Sequence, residues 1–179
     1  MSNEMTIRVA GRDDLAMLHP LIERAYRGES ARRGWTHEAD LLDCDRTSLE
    51  ILEAIVGDPT QHLLIATRNG ITIGCVAVAD KGGGLAYLGQ LCVEPELQTF
   101  GSGKRLIAEA EQAAREMFGA HRIELTVIDG RAELIAYYER RGYAKTGERR
   151  DFPVAVDPPL VMAVLEKPLG ALVDETDDG

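Results

Sequence analysis

The stretch Gln98-Thr99-Phe100-Gly101-Ser102-Gly103 constrains this chain more than any other. It follows an apolar run that ends at Val93-Glu94-Pro95 and precedes a helical pattern beginning near Lys104, so it joins a strand to a helix. Glycines in such a link let the backbone turn tightly and approach a ligand closely. The first N–H groups of the following helix have no intrahelical acceptor, so they are free to point at an anion. Strand, glycine turn and helix start together read as a phosphate cradle, and a pyrophosphate fits it.

Two nucleotide motifs fail on the same residues. A dinucleotide fingerprint needs a third glycine three positions after Gly103, where Leu106 stands, and no acidic ribose partner is obviously placed downstream. A P-loop needs a glycine five residues before Gly103 and a Ser or Thr after Lys104, where the chain has Gln98 and Arg105. What survives is a strand, a Pro-containing link, Q-x-x-G-x-G and a helix. Further on the chain reads Leu134-Ile135-Ala136-Tyr137-Tyr138-Glu139-Arg140-Arg141-Gly142-Tyr143, a short helical segment with a Tyr-Glu pair followed by Gly and an aromatic. The two segments together resemble the acetyl-coenzyme A site of the GNAT-type N-acetyltransferase superfamily.

That resemblance implies an α/β (α+β) fold with a mixed, mostly antiparallel sheet of six or seven strands, flanked by about four helices. Element order from Thr6 to about Leu169 follows the same family, so residues 1–169 are expected to form one acetyltransferase domain, with residues 170–179 as an acidic, flexible tail. The length of 179 residues suits a single core.

Composition narrows the partners. Hydrophobic residues at 45% and charged residues at 28% are ordinary soluble usage, and no apolar run approaches the ~20 residues that span a bilayer. Met1-Ser2-Asn3-Glu4-Met5 lacks a basic segment leading into an apolar stretch, so a cytosolic location is expected. Net charge of −10 argues against a nucleic-acid backbone as partner and favours a cationic substrate, although Asp174, Glu175, Asp177 and Asp178 lie in the tail. Cys44, Cys75 and Cys92 are odd in number and show no metal-ligand spacing, so neither disulfides nor zinc are expected.

Periodicity supplies the remaining elements. Residues 6–10 read as a first strand, and Asp13 or Asp14 as the cap of a helix with Leu15, Leu18, Leu21, Ile22 and Ala25 on one face. Pro20 predicts a kink or a later start, because an interior proline costs ~3 kcal/mol. Thr47 and Glu50 form a capping box ahead of Leu49, Leu52, Ile55 and Val56. Residues 62–67 and 71–79, joined through Asn69-Gly70, form a hairpin. A fourth strand spans 85–93, entered through the flexible turn Asp80-Lys81-Gly82-Gly83-Gly84.

The third helix carries Leu106, Ile107, Ala110, Ala113, Ala114 and Met117 on its apolar face. A fifth strand (121–128), a short helix (132–141) ended by Gly142, and strands at 144–149 and 160–166 complete the set. The last two strands are joined by an excursion through Phe152-Pro153 and Pro158-Pro159.

Acyl transfer to an amine requires a held donor, a polarised carbonyl, a deprotonated amine and a protonated leaving thiolate. The resemblance places the pyrophosphate on backbone N–H groups from Thr99 to Lys104, so Gln98, Thr99, Phe100, Gly101, Ser102, Gly103 and Lys104 are the candidate cofactor contacts. It also implies that Leu91, Cys92 and Val93 pair with the pantetheine arm like an extra strand. Cys92 itself reads as a small buried hydrophobe, with no base nearby in sequence to activate it.

Tyr138 occupies the family's general-acid position beside the thioester sulfur. A phenol of ordinary pKa near ~10 is protonated at neutral pH and can donate to a thiolate. Arg131 stands where many members carry an asparagine that contacts the cofactor; it is a candidate for the cofactor, for a substrate carboxylate, or for pairing with Glu133 or Glu139. No carboxylate stands on the fourth strand at Leu88-Gly89-Gln90-Leu91, which leaves Glu94, Glu124, His121 or a water chain as base. Residues 27–46 border the acceptor side by the same resemblance, with Tyr26, Trp35, His37 and Glu38 as pocket candidates and packing over the helix pair as the alternative for Trp35.

The expected activity is acetyl-coenzyme A-dependent N-acetylation of a primary amine by direct attack, on a small molecule or a protein, without metal and with homodimerisation common in the family. The alternative on the same fold is a non-catalytic acyl-coenzyme A sensor or interaction module.

Overall fold

The computed structural model describes residues 5–26, 49–94, 101–151 and 160–170 of the chain. Seven strands form one sheet in the order β1-β2-β3-β4-β5-β7-β6: β1 (Met5–Val9), β2 (Gln61–Arg68), β3 (Ile71–Gly82), β4 (Leu85–Val93), β5 (Arg122–Ile128), β6 (Ala144–Asp151) and β7 (Val161–Pro168). Every neighbouring pair is antiparallel except β4 and β5, which run parallel. Four α-helices stand among the described residues: α1 (Leu15–Tyr26), α2 (Leu49–Gly57), α3 (Ser102–Phe118) and α4 (Ala132–Glu139). The mixed, mostly antiparallel sheet expected from the sequence is the one observed.

The apolar runs of β2 and β3 are continuous because this part of the sheet is covered on both faces. Leu63, Ile65, Cys75, Ala77 and Cys92 turn toward Leu18, Leu21 and Ile22 of α1 and Leu52 and Ile55 of α2. Their alternating neighbours Leu64, Ala66, Val76, Val78 and Val93 pack under Leu106, Ile107 and Ala110 of α3 and Leu134, Ile135 and Tyr138 of α4. Each fully buried Leu or Ile here contributes about 1.5–3 kcal/mol, so the two faces are held comparably. β1 and β6 are the two edges of the sheet, and β6 is exposed over nearly its whole length. Its polar sequence and the register shift between Lys145 and Arg149 suit an exposed edge.

Local chemistry explains most boundaries. Asn69 and Gly70 both take positive φ (54° and 78°), as the two-residue hairpin requires. Gly142, at φ 99°, follows α4, where Tyr143 N–H bonds Tyr138 O at 3.2 Å.

Three expectations are corrected. Of the two expectations for Pro20, the later start is not observed: α1 begins ahead of Pro20 and continues through it; Ala16, whose carbonyl loses its partner, and Pro20 are both exposed, so the lost bond leaves no buried polar group. Met117 is 49% exposed rather than on the core face of α3. Phe118 takes the inward place and stacks on His62 at 5.5 Å. β3 runs on through Asp80, Lys81 and Gly82, which confines the turn into β4 to Gly83 and Gly84. The capping residue Thr47, the segment 27–46, the prolines at 153, 158 and 159, and the acidic residues 174–178 lie outside the described residues.

Candidate active site

The site is built where β4 and β5 part. Their parallel pairing lasts for three registers, from Leu85↔Arg122 to Tyr87↔Glu124, and then stops. From Leu88 onward β4 pairs only with β3, so its other edge presents main-chain groups to a cleft. Leu88, Gly89, Gln90 and Leu91 line that cleft from β4, Leu125, Thr126 and Val127 from β5, and Leu134 and Tyr138 from α4, around a narrow cavity of about 40 Å³. At the point of parting the Tyr87 hydroxyl and the Thr126 hydroxyl bond each other at 2.7 Å.

Tyr138 reaches the cleft because α4 lays one face on the sheet. Leu134, Ile135 and Tyr138 recur at helical spacing and are buried together, Tyr138 to 6% exposure. Tyr137 points elsewhere; it packs beside the core with the Arg141 guanidinium 3.9 Å from its ring centroid. The Tyr138 ring meets Tyr137 and Tyr143 edge-on, at 5.4 and 5.8 Å.

The cradle is described from Gly101 onward; Gln98, Thr99 and Phe100 lie outside the described residues. Gly101 caps α3 in the left-handed conformation at φ 75°, a geometry that glycine adopts without cost. The first bond of this helix runs from Arg105 N–H to Gly101 O at 3.1 Å, so the N–H groups of Ser102, Gly103 and Lys104 have no intrahelical acceptor. No acid stands in that first turn, and Lys104 is exposed beside it. The Ser102 hydroxyl is buried without a hydrogen-bond partner among the described residues. An orphaned hydroxyl among free N–H groups at the positive end of a 17-residue helix fits a diphosphate.

Leu91, Cys92 and Val93 are buried at the end of β4. Cys92 lies opposite Cys75 in the β3–β4 register, with the two thiol sulfurs 3.4 Å apart. The hydrogen bond with Cys92, followed by burial, holds the Cys75 thiol above its ordinary pKa, so Cys75 behaves as packing rather than as a nucleophile. Gly74 next to it has no room for a side chain, since a Cβ would lie 2.8 Å from Cys92 O and 3.0 Å from Leu106. Arg131 caps the N-terminus of α4 and is half-buried.

The base candidates stand outside the cleft lining. Glu124, 5% exposed, takes both guanidinium nitrogens of Arg150 at 3.1 Å, and Arg150 also binds Glu148 at 2.7 Å. That bond to Glu124 is the main reason the Arg150 guanidinium is held above its ordinary pKa. His121 sits at the opposite end of β5, against Gly84. Glu94 follows β4, tied by its N–H to Ile73 O at 2.8 Å. Tyr26 is the last residue of α1, whereas Trp35, His37 and Glu38 lie outside the described residues.

Sequence reading did not single out Gln90 or the Tyr87–Thr126 pair. Alternation along β4 and β5 puts Tyr87 and Thr126 on one face, but only the pairing register brings them together.

The model of the acetyltransferase (GNAT) family matches residues 17–143. An IAA acetyltransferase of Azospirillum brasilense is 30% identical over 131 residues, 73% of this chain and 82% of that protein. The ribosomal-protein-S18-alanine N-acetyltransferase of Escherichia coli superposes with a TM-score of 0.72 at 19% identity, over 96% of this chain and 97% of that one. A putative acetyltransferase of Salmonella typhimurium, solved with its cofactor acetyl-CoA, superposes with a TM-score of 0.70 at 19% identity over the same shares.

Proposed function

The chain belongs to the acetyltransferase (GNAT) family, and from that premise we propose that it transfers an acetyl group from acetyl-coenzyme A to a primary amine by direct attack, with Tyr138 as general acid. The observation that carries this reading is the parting of β4 and β5 beside Tyr138: a strand edge and a phenol line one cleft, and the helix whose first N–H groups lack intrahelical acceptors is the next one along the chain from that strand.

When bound, acetyl-coenzyme A supplies an activated thioester and a thiol leaving group. The N–H groups of Ser102, Gly103 and Lys104 and the Ser102 hydroxyl hold its diphosphate, and the main chain of Leu91, Cys92 and Val93 aligns its arm. With the donor fixed, amine attack has the entropic advantage of a unimolecular step. Tyr138 keeps a proton on its phenol oxygen for the departing sulfur, which spares the reaction a free thiolate. The amine gives up its proton to solvent or to a water in the cleft, since Glu124 is already committed to Arg150.

The acceptor is proposed only as a primary amine. The Escherichia coli neighbour carries a ribosomal-protein alanine in its name, and a protein amine of that class stands beside small amines among the acceptors to be tested. The catalytic unit is proposed to span residues 1–169.

Calorimetric titration with acetyl-coenzyme A, followed by thiol-release assays over a panel of primary amines, tests the reading. Binding with amine-dependent release that collapses in Tyr138→Phe supports it. Binding without release on any amine points instead to an acyl-coenzyme A sensor, and no binding removes the cradle reading altogether.

A further inference from the structure

Gln90 departs from its surroundings in two independent ways. Its φ of 51° is left-handed, and among the described residues only Asn69 shares that state without being glycine, inside a tight turn that requires it. Gln90 lies instead within β4. The β3–β4 register passes from Cys75↔Cys92 to Ala77↔Gly89, so the single residue Val76 faces both Gln90 and Leu91. This is a bulge, and its main-chain carbonyl accepts the Cys75 thiol at 3.3 Å. Second, the side-chain carbonyl oxygen of Gln90 is buried without a hydrogen-bond partner among the described residues. A strained backbone and an unpaired buried acceptor on one residue both work against folding, and strain of this kind gathers at functional sites.

The cleft tells what that carbonyl is for. Gln90 lines it together with Tyr138, Tyr87 and Thr126. Tyr87 and Thr126 are committed to each other at 2.7 Å, and Tyr138 is assigned to the leaving sulfur. Main-chain groups on the free edge of β4 suit the amides of the donor arm. A side-chain carbonyl accepts and never donates, so its partner must bring an N–H or O–H. Resting on the acyl-transfer reading above, we propose that Gln90 positions the acceptor amine, taking one N–H of the incoming nitrogen on its side-chain carbonyl.

Holding one N–H turns the nitrogen lone pair away from Gln90 and into the cleft. Because the amide is neutral, it adds no Coulombic attraction of the kind by which a carboxylate at this position would hold the nitrogen as ammonium, and the uncharged amine is the form that attacks. The bulge is what re-aims the side chain: a regular strand at this position would place residue 90 by simple alternation with Gly89 and Leu91.

Two variants separate side chain from backbone. Gln90→Gly keeps the left-handed backbone without strain and removes the carbonyl, whereas Gln90→Glu keeps an acceptor oxygen in nearly the same place. For each, acetyl-coenzyme A affinity is measured by calorimetry, the melting temperature by scanning, and amine KM and kcat by thiol release with a panel of primary amines. Gln90→Gly is expected to melt no lower than wild type and to bind acetyl-coenzyme A within about twofold, while its amine KM rises about fivefold to tenfold, the worth of one hydrogen bond. Gln90→Glu is expected to keep the amine KM within about threefold, because the acceptor oxygen remains.

An unchanged amine KM in Gln90→Gly overturns the assignment. So does an equal loss of acetyl-coenzyme A affinity, which would place the carbonyl on the donor arm. Wild-type protein that releases thiol with no amine removes the acyl-transfer reading itself and the role of Gln90 with it, and that result is seen before any variant is made.

Discussion

The Tyr143 hydroxyl donates a 2.9 Å hydrogen bond to the Glu111 carboxylate, joining the turn that follows α4 to the middle of α3. Lys167 of β7 closes the same carboxylate from its other oxygen at 2.9 Å. Glu111 is therefore a buried anion, 6% exposed, with both oxygens engaged. Tyr143 also sets its ring against Tyr138, so this network braces the wall of the cleft as well as the core.

Replacing Tyr143 with Phe is expected to cost about 1.5–3 kcal/mol of stability at neutral pH, because a hydrogen bond to a buried charge is lost. The pH dependence has a definite sign. Burial, followed by the Glu111 charge, pushes the Tyr143 phenol well above its ordinary value. Its contribution is fully present below the unfolded-state value of about 10 and declines as pH rises beyond it, since unfolding then lets the phenol ionise. Urea unfolding at pH 7 and at pH 10.5 checks both points: the gap between wild type and Tyr143→Phe narrows at the higher pH.

Tyr138→Phe removes a proton source without opening a cavity. The expected result is kcat lower by about 10²- to 10⁴-fold, with acetyl-coenzyme A affinity nearly unchanged. Calorimetry beside thiol release separates the two effects. A parallel fall in affinity would recast Tyr138 as a binding residue.

Ser102→Ala deletes the hydroxyl that has no partner among the described residues. An unsatisfied buried group costs about 1–3 kcal/mol, so its removal is expected to leave stability unchanged or higher. Acetyl-coenzyme A affinity is expected to fall by about fivefold, roughly one hydrogen bond. Melting temperature and calorimetric Kd measured on the same preparation test this opposition directly.

Asp14 holds the entry to α1. It receives Arg8 at 2.8 and 3.0 Å and the Gly11 N–H at 2.8 Å, and the Arg8 bond is the main reason its carboxyl is held below the usual range. A depressed carboxyl contributes stability above its unfolded value of about 3.9 and loses it as pH falls through the folded value. Asp14→Asn is expected to lower stability slightly at pH 7 and to merge with wild type in strong acid. The effect stays small because Arg8 is largely exposed.

What the chain alone determined was what neighbouring residues decide among themselves. The Asn69-Gly70 turn, the helical face through Leu134 and Tyr138, the stop at Gly142 and the glycine cradle ahead of α3 all follow from local sterics and side-chain period. Family membership was legible for the same reason, since the cradle and the Tyr138 segment are each contiguous. Met117 shows the limit of periodicity: it is exposed on the last turn of α3, and Phe118 finds a partner in His62 instead.

Tertiary structure decided everything that depends on two distant segments meeting. Cys75 and Cys92 are 17 positions apart, Tyr143 and Glu111 are 32, and Lys167 and Glu111 are 56. The cleft exists because β4 and β5 stop pairing after Tyr87, and Gln90 enters it because one residue of β3 opposes two of β4. Register and bulge are set by the competition of whole strands for partners and by burial on both faces of the sheet. No single segment carries that information, which is why an ordinary-looking glutamine in an apolar strand gave no sign of its position.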